Sequence, residues 1–391
     1  MWRRVLVPNL LDDKISFNHR KKILVDASNI SSGGGISHLK NLIERTPNNK
    51  YKYIIWINKK AQKNLSKNIN FDFRSSIFFS MPLPFRIFWK VTFFRYYCSL
   101  YRPDYIFCPG GLLFFKHKNS TIVFQNILPF SKNLAEYGFA ERVKNFLLRK
   151  ALIFSASKST KVIYHSNDSK QIIQKFHKNN NCRVIPHGID KIFFIDNLEQ
   201  EKNLKKLEDK LISNKRISFT YIGSAFTYKN FLPLFNLFEQ LNKKNFKFKL
   251  NLIITDGPKK NMIIKKLNNS RITEHVNLSE AMSKKDIMYL LHNNTDIFMF
   301  VSSQETFGLI LAEGMASGLP IFATKFSCIP EVLGDSDFYL NIFNTEEASI
   351  KIINELRNIQ KIKESAKNSR NRAEKFTWEK AAELSWNFIF E

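Results

Sequence analysis

The 391-residue chain reads as an α/β protein built from two doubly wound, Rossmann-like domains in tandem. Three observations predict this. Short apolar runs bounded by glycine or polar residues, the pattern of buried parallel strands, alternate with stretches of helical period. The alternation runs twice, interrupted by Val184-Ile-Pro-His-Gly-Ile-Asp190 and a Lys- and Glu-rich helical stretch over 197–212. The length also exceeds what one hydrophobic core ordinarily fills, so two domains of normal size are expected.

The first series opens with Ile23-Leu-Val-Asp26, a glycine loop Ser31-Ser-Gly-Gly-Gly-Ile36 and a helix through His38, Leu39, Leu42 and Ile43. Strand-like runs follow at 53–57, 105–108, 121–124 and 161–164, and a further apolar strand ends in Pro and Gly near Arg183-Val-Ile-Pro-His-Gly188. The second series places strands at 218–223, 249–254, 275–278, 296–301 and 320–323. From Thr377 to Phe390 the apolar residues Trp378, Ala381, Ala382, Leu384, Trp386, Phe388 and Ile389 recur at helical spacing, so this helix buries one face. The expected division is residues 1–188, residues 189–374, and a terminal helix over 375–391 packing back toward the first domain.

Charge separates the two halves. Residues 1–190 hold 32 of the 61 Lys and Arg but 10 of the 34 Asp and Glu, a surplus of +22 within a net +27. A basic half-chain attracts polyanions, either nucleic acid or an anionic membrane surface. No helix-turn-helix, zinc finger or aromatic RNA motif accompanies the charge, which argues against a nucleic-acid partner. Residues 84–101 interleave aromatic residues with Arg86, Lys90 and Arg95, a composition that suits a bilayer interface or a buried core helix. No apolar run reaches the roughly eighteen residues of a membrane span. Met1-Trp-Arg-Arg-Val-Leu-Val-Pro8 lacks a secretory signal, so a cytoplasmic location is expected, peripheral on the inner face of the membrane. Cys98, Cys108, Cys182 and Cys328 lie far apart without metal-ligand spacing and read as reduced thiols.

In open parallel sheets ligands bind beyond the carboxyl ends of the strands. The loop Ser302-Ser-Gln-Glu305-Thr-Phe-Gly308 follows such a strand, and the helix after it begins near Phe307 or Gly308. Unpaired amides and the positive end of the dipole make that helix start a resting place for a phosphate. Glu305 before the helix and Glu313 inside it supply carboxylates that can accept paired hydroxyl hydrogen bonds from a ribose or hexose.

Glu305-Thr-Phe-Gly-Leu-Ile-Leu-Ala-Glu313, followed by Gly-Met-Ala-Ser-Gly-Leu-Pro-Ile321, resembles the E-x7-E segment of glycosyltransferase family 4, a retaining family with the GT-B fold of two Rossmann-like domains facing a central cleft. Tyr221-Ile-Gly-Ser-Ala-Phe-Thr-Tyr-Lys-Asn230 resembles the family's strand and loop that serve the donor diphosphate, with Lys229 in the place of the phosphate-binding lysine. The arginine often found after that strand's glycine is absent, since Gly223 is followed by Ser224 and Ala225.

The resemblance implies catalytic roles for Glu305 and Lys229. It implies donor contacts from Gly34, Gly35, Gly223, Ser224, Phe307, Gly308, Leu309 and Glu313, with Glu305 on the sugar and Glu313 on the ribose. Nucleotide-base contacts are expected around Leu278-Ser-Glu-Ala281, mostly through backbone. The segment Phe124-Gln-Asn-Ile-Leu-Pro-Phe130 matches one that carries a sugar-side His in many relatives. Here Gln125 and Asn126 stand as acceptor or sugar contacts that cannot act as bases. His165 and His187 read as structural.

What the resemblance implies is a retaining, metal-independent hexosyltransferase with no cofactor beyond its nucleotide-sugar co-substrate. The donor is UDP- or GDP-linked, and the acceptor is a lipid-linked (polyprenyl diphosphate) oligosaccharide of O-antigen or capsule-type assembly. A GT-B nucleotide-sugar epimerase, which would turn over its donor without acceptor, is the alternative within the fold. A basic nucleic-acid-binding protein is the alternative outside it.

Overall fold

A computed structural model describes residues 20–30, 33–47, 51–63, 65–66, 68–131, 137–336 and 338–391. Met1–Pro8, Ser31 and Ser32, read above from sequence, lie outside the described residues. The strands form two all-parallel sheets. The first has seven strands: β1 (Lys21–Ala27), β2 (Tyr51–Ile57), β3 (Phe71–Arg74), β4 (Tyr105–Cys108), β5 (Ser120–Val123), β6 (Lys161–Tyr164) and β7 (Cys182–Val184), in the order β3-β2-β1-β4-β5-β6-β7. The second has six: β8 (Ile217–Ser224), β9 (Phe248–Thr255), β10 (Val276–Ser279), β11 (Ile297–Phe300), β12 (Ile321–Thr324) and β13 (Tyr339–Leu340), in the order β10-β9-β8-β11-β12-β13.

Both orders run outward from the first strand in two directions. Each sheet therefore has one switch point, between β1 and β4 in the first and between β8 and β11 in the second, where successive connections leave on opposite faces and open a crevice. The strands are apolar on both faces because helices cover both; Ile23 through Val25 and Ile297 through Phe300 are wholly buried.

Helix α1 (Gly33–Glu44) begins at the glycines themselves, earlier than the apolar pattern from Ile36 indicates. Gly33 stands at φ 66°, a left-handed conformation that admits the chain to the helix. Residues 84–101 form one bent helical rod of α2 (Leu83–Trp89), a π-helical turn over 90–94 and α3 (Arg95–Tyr101). Both readings of this stretch are present on different faces. Trp89, Phe94 and Tyr97 enter the core, while Phe85, Phe88, Tyr96 and Leu100 face solvent. The wide turn sets Lys90 against Asp26 at the end of β1 as a buried ion pair.

Apart from a single helical turn at Lys59–Gln62, the remaining helices flank the sheets: α4 (Phe139–Lys158), α5 (Asn167–Gln174), α6 (Asn197–Ile212), α7 (Phe231–Lys243), α8 (Lys260–Asn268), α9 (Lys284–Asn293), α10 (Leu309–Ala316), α11 (Ile329–Leu333), α12 (Thr345–Glu355), α13 (Ile359–Ala373) and α14 (Trp378–Phe390). Although α14 ends the chain, it packs on the first sheet. The Trp386 indole donates to the Leu42 carbonyl at 3.0 Å, Phe390 stacks on Tyr51 at 4.3 Å, and Arg183 meets Glu391 at 2.8 Å.

The crossing is tight where the chain passes the linker after β7. Ile189 donates its amide to the Phe376 carbonyl at 2.9 Å, and Gly188 lies under Trp378. A Cβ at Gly188 would sit 2.2 Å from the Trp378 nitrogen, so backbone rather than a flexible side chain would have to move. Gly188→Ala is expected to cost about 1–3 kcal/mol, as overpacking does, read as a lower urea midpoint in equilibrium unfolding.

Candidate functional site

The loops beside the second switch point are stitched together. Within β8, Tyr221 donates its hydroxyl to the Lys229 carbonyl in the loop that follows, and Asn230, left-handed at φ 54°, stands at the N-cap position of α7. Asn tolerates that conformation, and its side-chain amide donates to the Val301 carbonyl at 2.7 Å, just past β11. The Ser303 amide donates to the Tyr228 carbonyl at 2.8 Å. Between these ties Lys229 Nζ meets Glu305 Oε1 at 2.5 Å, with both side chains little exposed. Lys229 also lies over the rings of Tyr228 and Phe300, at 5.3 and 5.8 Å. Burial alone would lower its pKa, but Glu305 and the two tyrosines outweigh that, and it is held above the usual lysine value as an ammonium. The two groups singled out in sequence, 76 residues apart, thus form one charged pair.

Helix α10 starts where expected, with Gly308 as its N-cap at φ 82°. A Cβ there would be strained and 3.3 Å from the Phe300 ring. Across the crevice, the backbone of Gly34 at the start of α1 approaches this helix, because a Cβ there would lie 3.2 Å from Leu309 Cδ1. Gly35 approaches Gln125 in the same way, at 2.9 Å from its Oε1. Gly223 is extended within β8, and Ser224 ends the strand and bonds the Tyr228 hydroxyl. Asn126 is exposed and caps the turn at Leu128 through a 2.9 Å bond. The Phe307 side chain is buried against His187 and Phe376, so only its backbone is free to meet a ligand.

Glu313 does not share the surroundings of Glu305. Desolvation pushes its carboxyl up to about 8, opposed by Lys284 and reinforced by Asp190, which are themselves paired. Sequence spacing placed this residue on the crevice side but carried no sign of its desolvation, which depends on packing around α10.

His38, His165 and His187 form a buried group whose ligand atoms lie within 4.8 Å of one another. His38 Nδ1 is 3.1 Å from His187 Nδ1, and His165 Nδ1 donates to the Ile185 carbonyl at 2.9 Å. His165 and His187 are stacked at 3.7 Å with an interplanar angle of 29°. Burial holds all three neutral, His165 near 4. They pack beneath Phe307 and Trp378, where the linker, α1 and α14 meet. The chain has one Asp-x-Asp triplet, Asp335-Ser-Asp337; Asp335 borders a hollow of about 540 Å3 that shares no residue with the Lys229 or Glu305 loops, and Asp337 lies outside the described residues.

The two halves also touch beside Glu305. Ser327, left-handed at φ 52°, places its hydroxyl 2.8 Å from the Glu305 carbonyl and 2.9 Å from Asp168 Oδ2 on α5. The Glu331 carboxylate accepts from the Asn167 and Asp168 amides at 2.8 and 3.1 Å, answering the positive end of α5. Sequence reasoning missed this contact because nothing local marks Asp168, Ser327 or Glu331 as neighbours.

Residues 202–376 match the profile of glycosyl transferases group 1, a span that includes Lys229, Glu305 and Glu313. The matched span is less than half of the chain and contains the whole second sheet. Among curated relatives, N-acetyl-alpha-D-glucosaminyl L-malate synthase of Bacillus anthracis is 32% identical over 96 residues, 24% of this chain and 24% of that protein. Alpha-monoglucosyldiacylglycerol synthase of Streptococcus pneumoniae is 28% identical over 157 residues, 40% of this chain and 35% of that protein. The chain thus spans about a quarter to a third of these relatives. Solved structures share the fold over nearly its full length. Sucrose-phosphate synthase from Thermosynechococcus elongatus superimposes with a TM-score of 0.72 at 13% identity, covering 95% of this chain and 98% of that one. Anabaena HepE in complex with UDP-glucose does so with 0.67 at 16%, covering 94% and 99%. The fold of the two sheets together is GT-B.

The raised carboxyl of Glu313 makes a stability prediction. Its folded value lies above the 4.5 of a free carboxyl, so the folded state binds the extra proton and loses stability as pH rises from about 4.5 to 8. Glu313→Gln removes that loss and is expected to stabilise the free protein by up to roughly 4 kcal/mol at pH 8, shrinking toward zero near pH 4.5. Urea unfolding of both proteins across this range measures the difference, and an equal gain at all pH values would reject the cause.

Proposed function

We propose that the chain is a retaining, metal-independent glycosyltransferase. It moves a hexosyl unit from a UDP- or GDP-linked sugar to a lipid-linked glycan, a polyprenyl-diphosphate oligosaccharide, in surface-polysaccharide assembly. The Lys229–Glu305 pair at the switch point of a group 1 domain carries the reading. A cation and a carboxylate there, beside the start of α10, match the two ends of a nucleotide sugar's reacting bond. The UDP-glucose complex of Anabaena HepE lends support from a protein of the same fold.

In this mechanism the donor diphosphate rests on the first amides of α10 and draws the Lys229 ammonium away from Glu305. Glu305 then accepts from hexose hydroxyls and Glu313 from the ribose. The bond from sugar C1 to the diphosphate oxygen breaks with its electron pair on that oxygen. The acceptor hydroxyl oxygen bonds C1 from the same face, and its proton passes to the departing diphosphate. Gln125 and Asn126 hold hydroxyls and need not act as bases. Lys229 and the helix dipole stabilise the leaving charge, the largest electrostatic demand of the step.

Incubation with UDP- and GDP-sugars and a membrane extract is expected to release nucleoside diphosphate. Lys229→Ala should slow the release by about 10²–10³-fold, as removal of one preorganised charge-stabilising group does. A variant as fast as the parent would sink the assignment of Lys229.

The membrane side of the reading rests on α4. Its outward face shows Phe139, Val143, Phe146, Leu147 and Phe154 to solvent beside Arg142, Lys150 and Lys158, and the α2–α3 rod adds Phe85 and Phe88. Aromatic and aliphatic groups flanked by cations fit an anionic bilayer surface. No helix among the described residues is long and apolar enough to cross a membrane. Vesicles containing phosphatidylglycerol are expected to retain the protein, and Phe146→Glu with Leu147→Glu to weaken retention at least tenfold; retention equal to the parent's would move the membrane face elsewhere.

A further inference from the structure

The first sheet has its own switch point, and a cavity of about 340 Å3 lies there. The loops after β1, β4 and β5 supply its floor, including Asn29 and Gln125. Helix α2 contributes Arg86, and α4 contributes Lys144, Leu148 and Leu152, which share one stripe at four-residue spacing. Position alone makes this a ligand crevice of an open parallel sheet.

Its polar groups are incomplete. Arg86 Nε, Asn29 Oδ1 and Gln125 Nε2 are shut off from solvent and have no hydrogen-bond partner. Lys90, one turn beyond Arg86, is already neutralised by Asp26, which also accepts from Ser28. Arg86 and Lys144 have no such partner among the described residues. Burial holds the Arg86 guanidinium below its ordinary value, yet a guanidinium remains charged in a protein. A guanidinium whose Nε is shut off from water without a partner is unfavourable unless a ligand supplies the acceptor, and Lys144, exposed on α4, lines the same cavity. The floor is shaped around these groups: a Cβ on Gly110 would fall 1.9 Å from Asn29 Oδ1.

We infer that this cavity binds a phosphate group of the acceptor, with Arg86 and Lys144 as its counter-charges and the Gln125 amide as a neutral donor. Two cations match two negative charges, those of a phosphate monoester or of a diphosphate bridge such as a lipid-linked glycan carries, and the guanidinium fork matches two of the oxygens. A carboxylate would leave one cation unmatched. Asn29 Oδ1 accepts from a hydroxyl next to the phosphate, and Leu148 and Leu152 cover the carbon skeleton. The inference rests on the transferase reading and names its acceptor class: a hydroxyl compound bearing phosphate, free in solution or attached to a lipid.

Calorimetric titration of the full chain, with its nucleotide pocket saturated by UDP or GDP, tests this. One arm uses inorganic phosphate against acetate. The other uses phosphatidylcholine vesicles carrying phosphatidic acid, against phosphatidylglycerol at equal charge. Binding in the first arm assigns a soluble phosphate, and binding in the second alone assigns a lipid phosphate. In whichever arm binds, Arg86→Met and Lys144→Met should each weaken binding at least tenfold and Arg86→Lys recover part of it. Nucleoside diphosphate affinity should stay at the parent's value, which certifies the fold. Phosphate binding that Arg86→Met leaves unchanged, equal binding of acetate, or no binding in either arm overturns the inference. Failure of the parent protein to bind any nucleoside diphosphate sinks the transferase reading instead.

Discussion

A parallel sheet that grows outward from its first strand in two directions must part its connections at one place, and the geometry of this protein depends on that constraint. It is met twice. In the second sheet the parting lies between β8 and β11, and the loops that leave there bring Lys229 to Glu305. In the first sheet it lies between β1 and β4, and the loops that leave there border the cavity of Asn29, Arg86 and Gln125. Helix α14, anchored on the first sheet through Trp386 and passing over Gly188, ties the end of the chain to its beginning. The near contact of Gly34 with Leu309 shows how closely the two crevices come together.

Much of this was legible in the sequence because burial on both faces leaves a plain mark. Every strand drawn from an apolar run appears within a residue or two of its place, and the helices over 197–212 and 377–390 do so as α6 and α14. The strands that escaped notice, β3 and β13, are edge strands. Phe71-Asp-Phe-Arg74 mixes charge with aromatic residues, and β13 is only two residues long. The π-helical turn at 90–94 was hidden as well, and the buried pair that its Lys90 makes with Asp26 joins residues 64 apart.

The candidate donor site divides along similar lines. Glu305, Gly308 and Lys229 stood out because loop, helix start and strand end are local features. Their pairing, the ring cage of Tyr228 and Phe300, and the burial of Phe307 belong to tertiary packing. Arg86 shows the limit most clearly. In sequence it is one cation among aromatic residues, with as much claim to a bilayer as to a cavity. Only the turn of α2 toward the ends of β1 and β5 separates it from the exposed Phe85 and Phe88 beside it.

Each crevice keeps one charge that folding leaves poorly compensated, and the signs are opposite. Where ribose hydroxyls would donate, Glu313 is a carboxyl that burial keeps reluctant to ionise. Where an anion would enter, Arg86 is a guanidinium with an unpaired, shielded Nε. Neither group improves the stability of the empty protein, since a polar or ionisable group taken from water without a full partner opposes folding. A ligand that supplies the missing partner would recover that loss on binding, so on the proposed function selectivity would be carried by groups the empty fold holds at a disadvantage. Lys229 and Glu305 follow the other strategy. They satisfy each other in the absence of ligand, which on the proposed function would let a strong charge wait at the reacting centre without destabilising it, and part when a diphosphate and a sugar offer each a partner of its own.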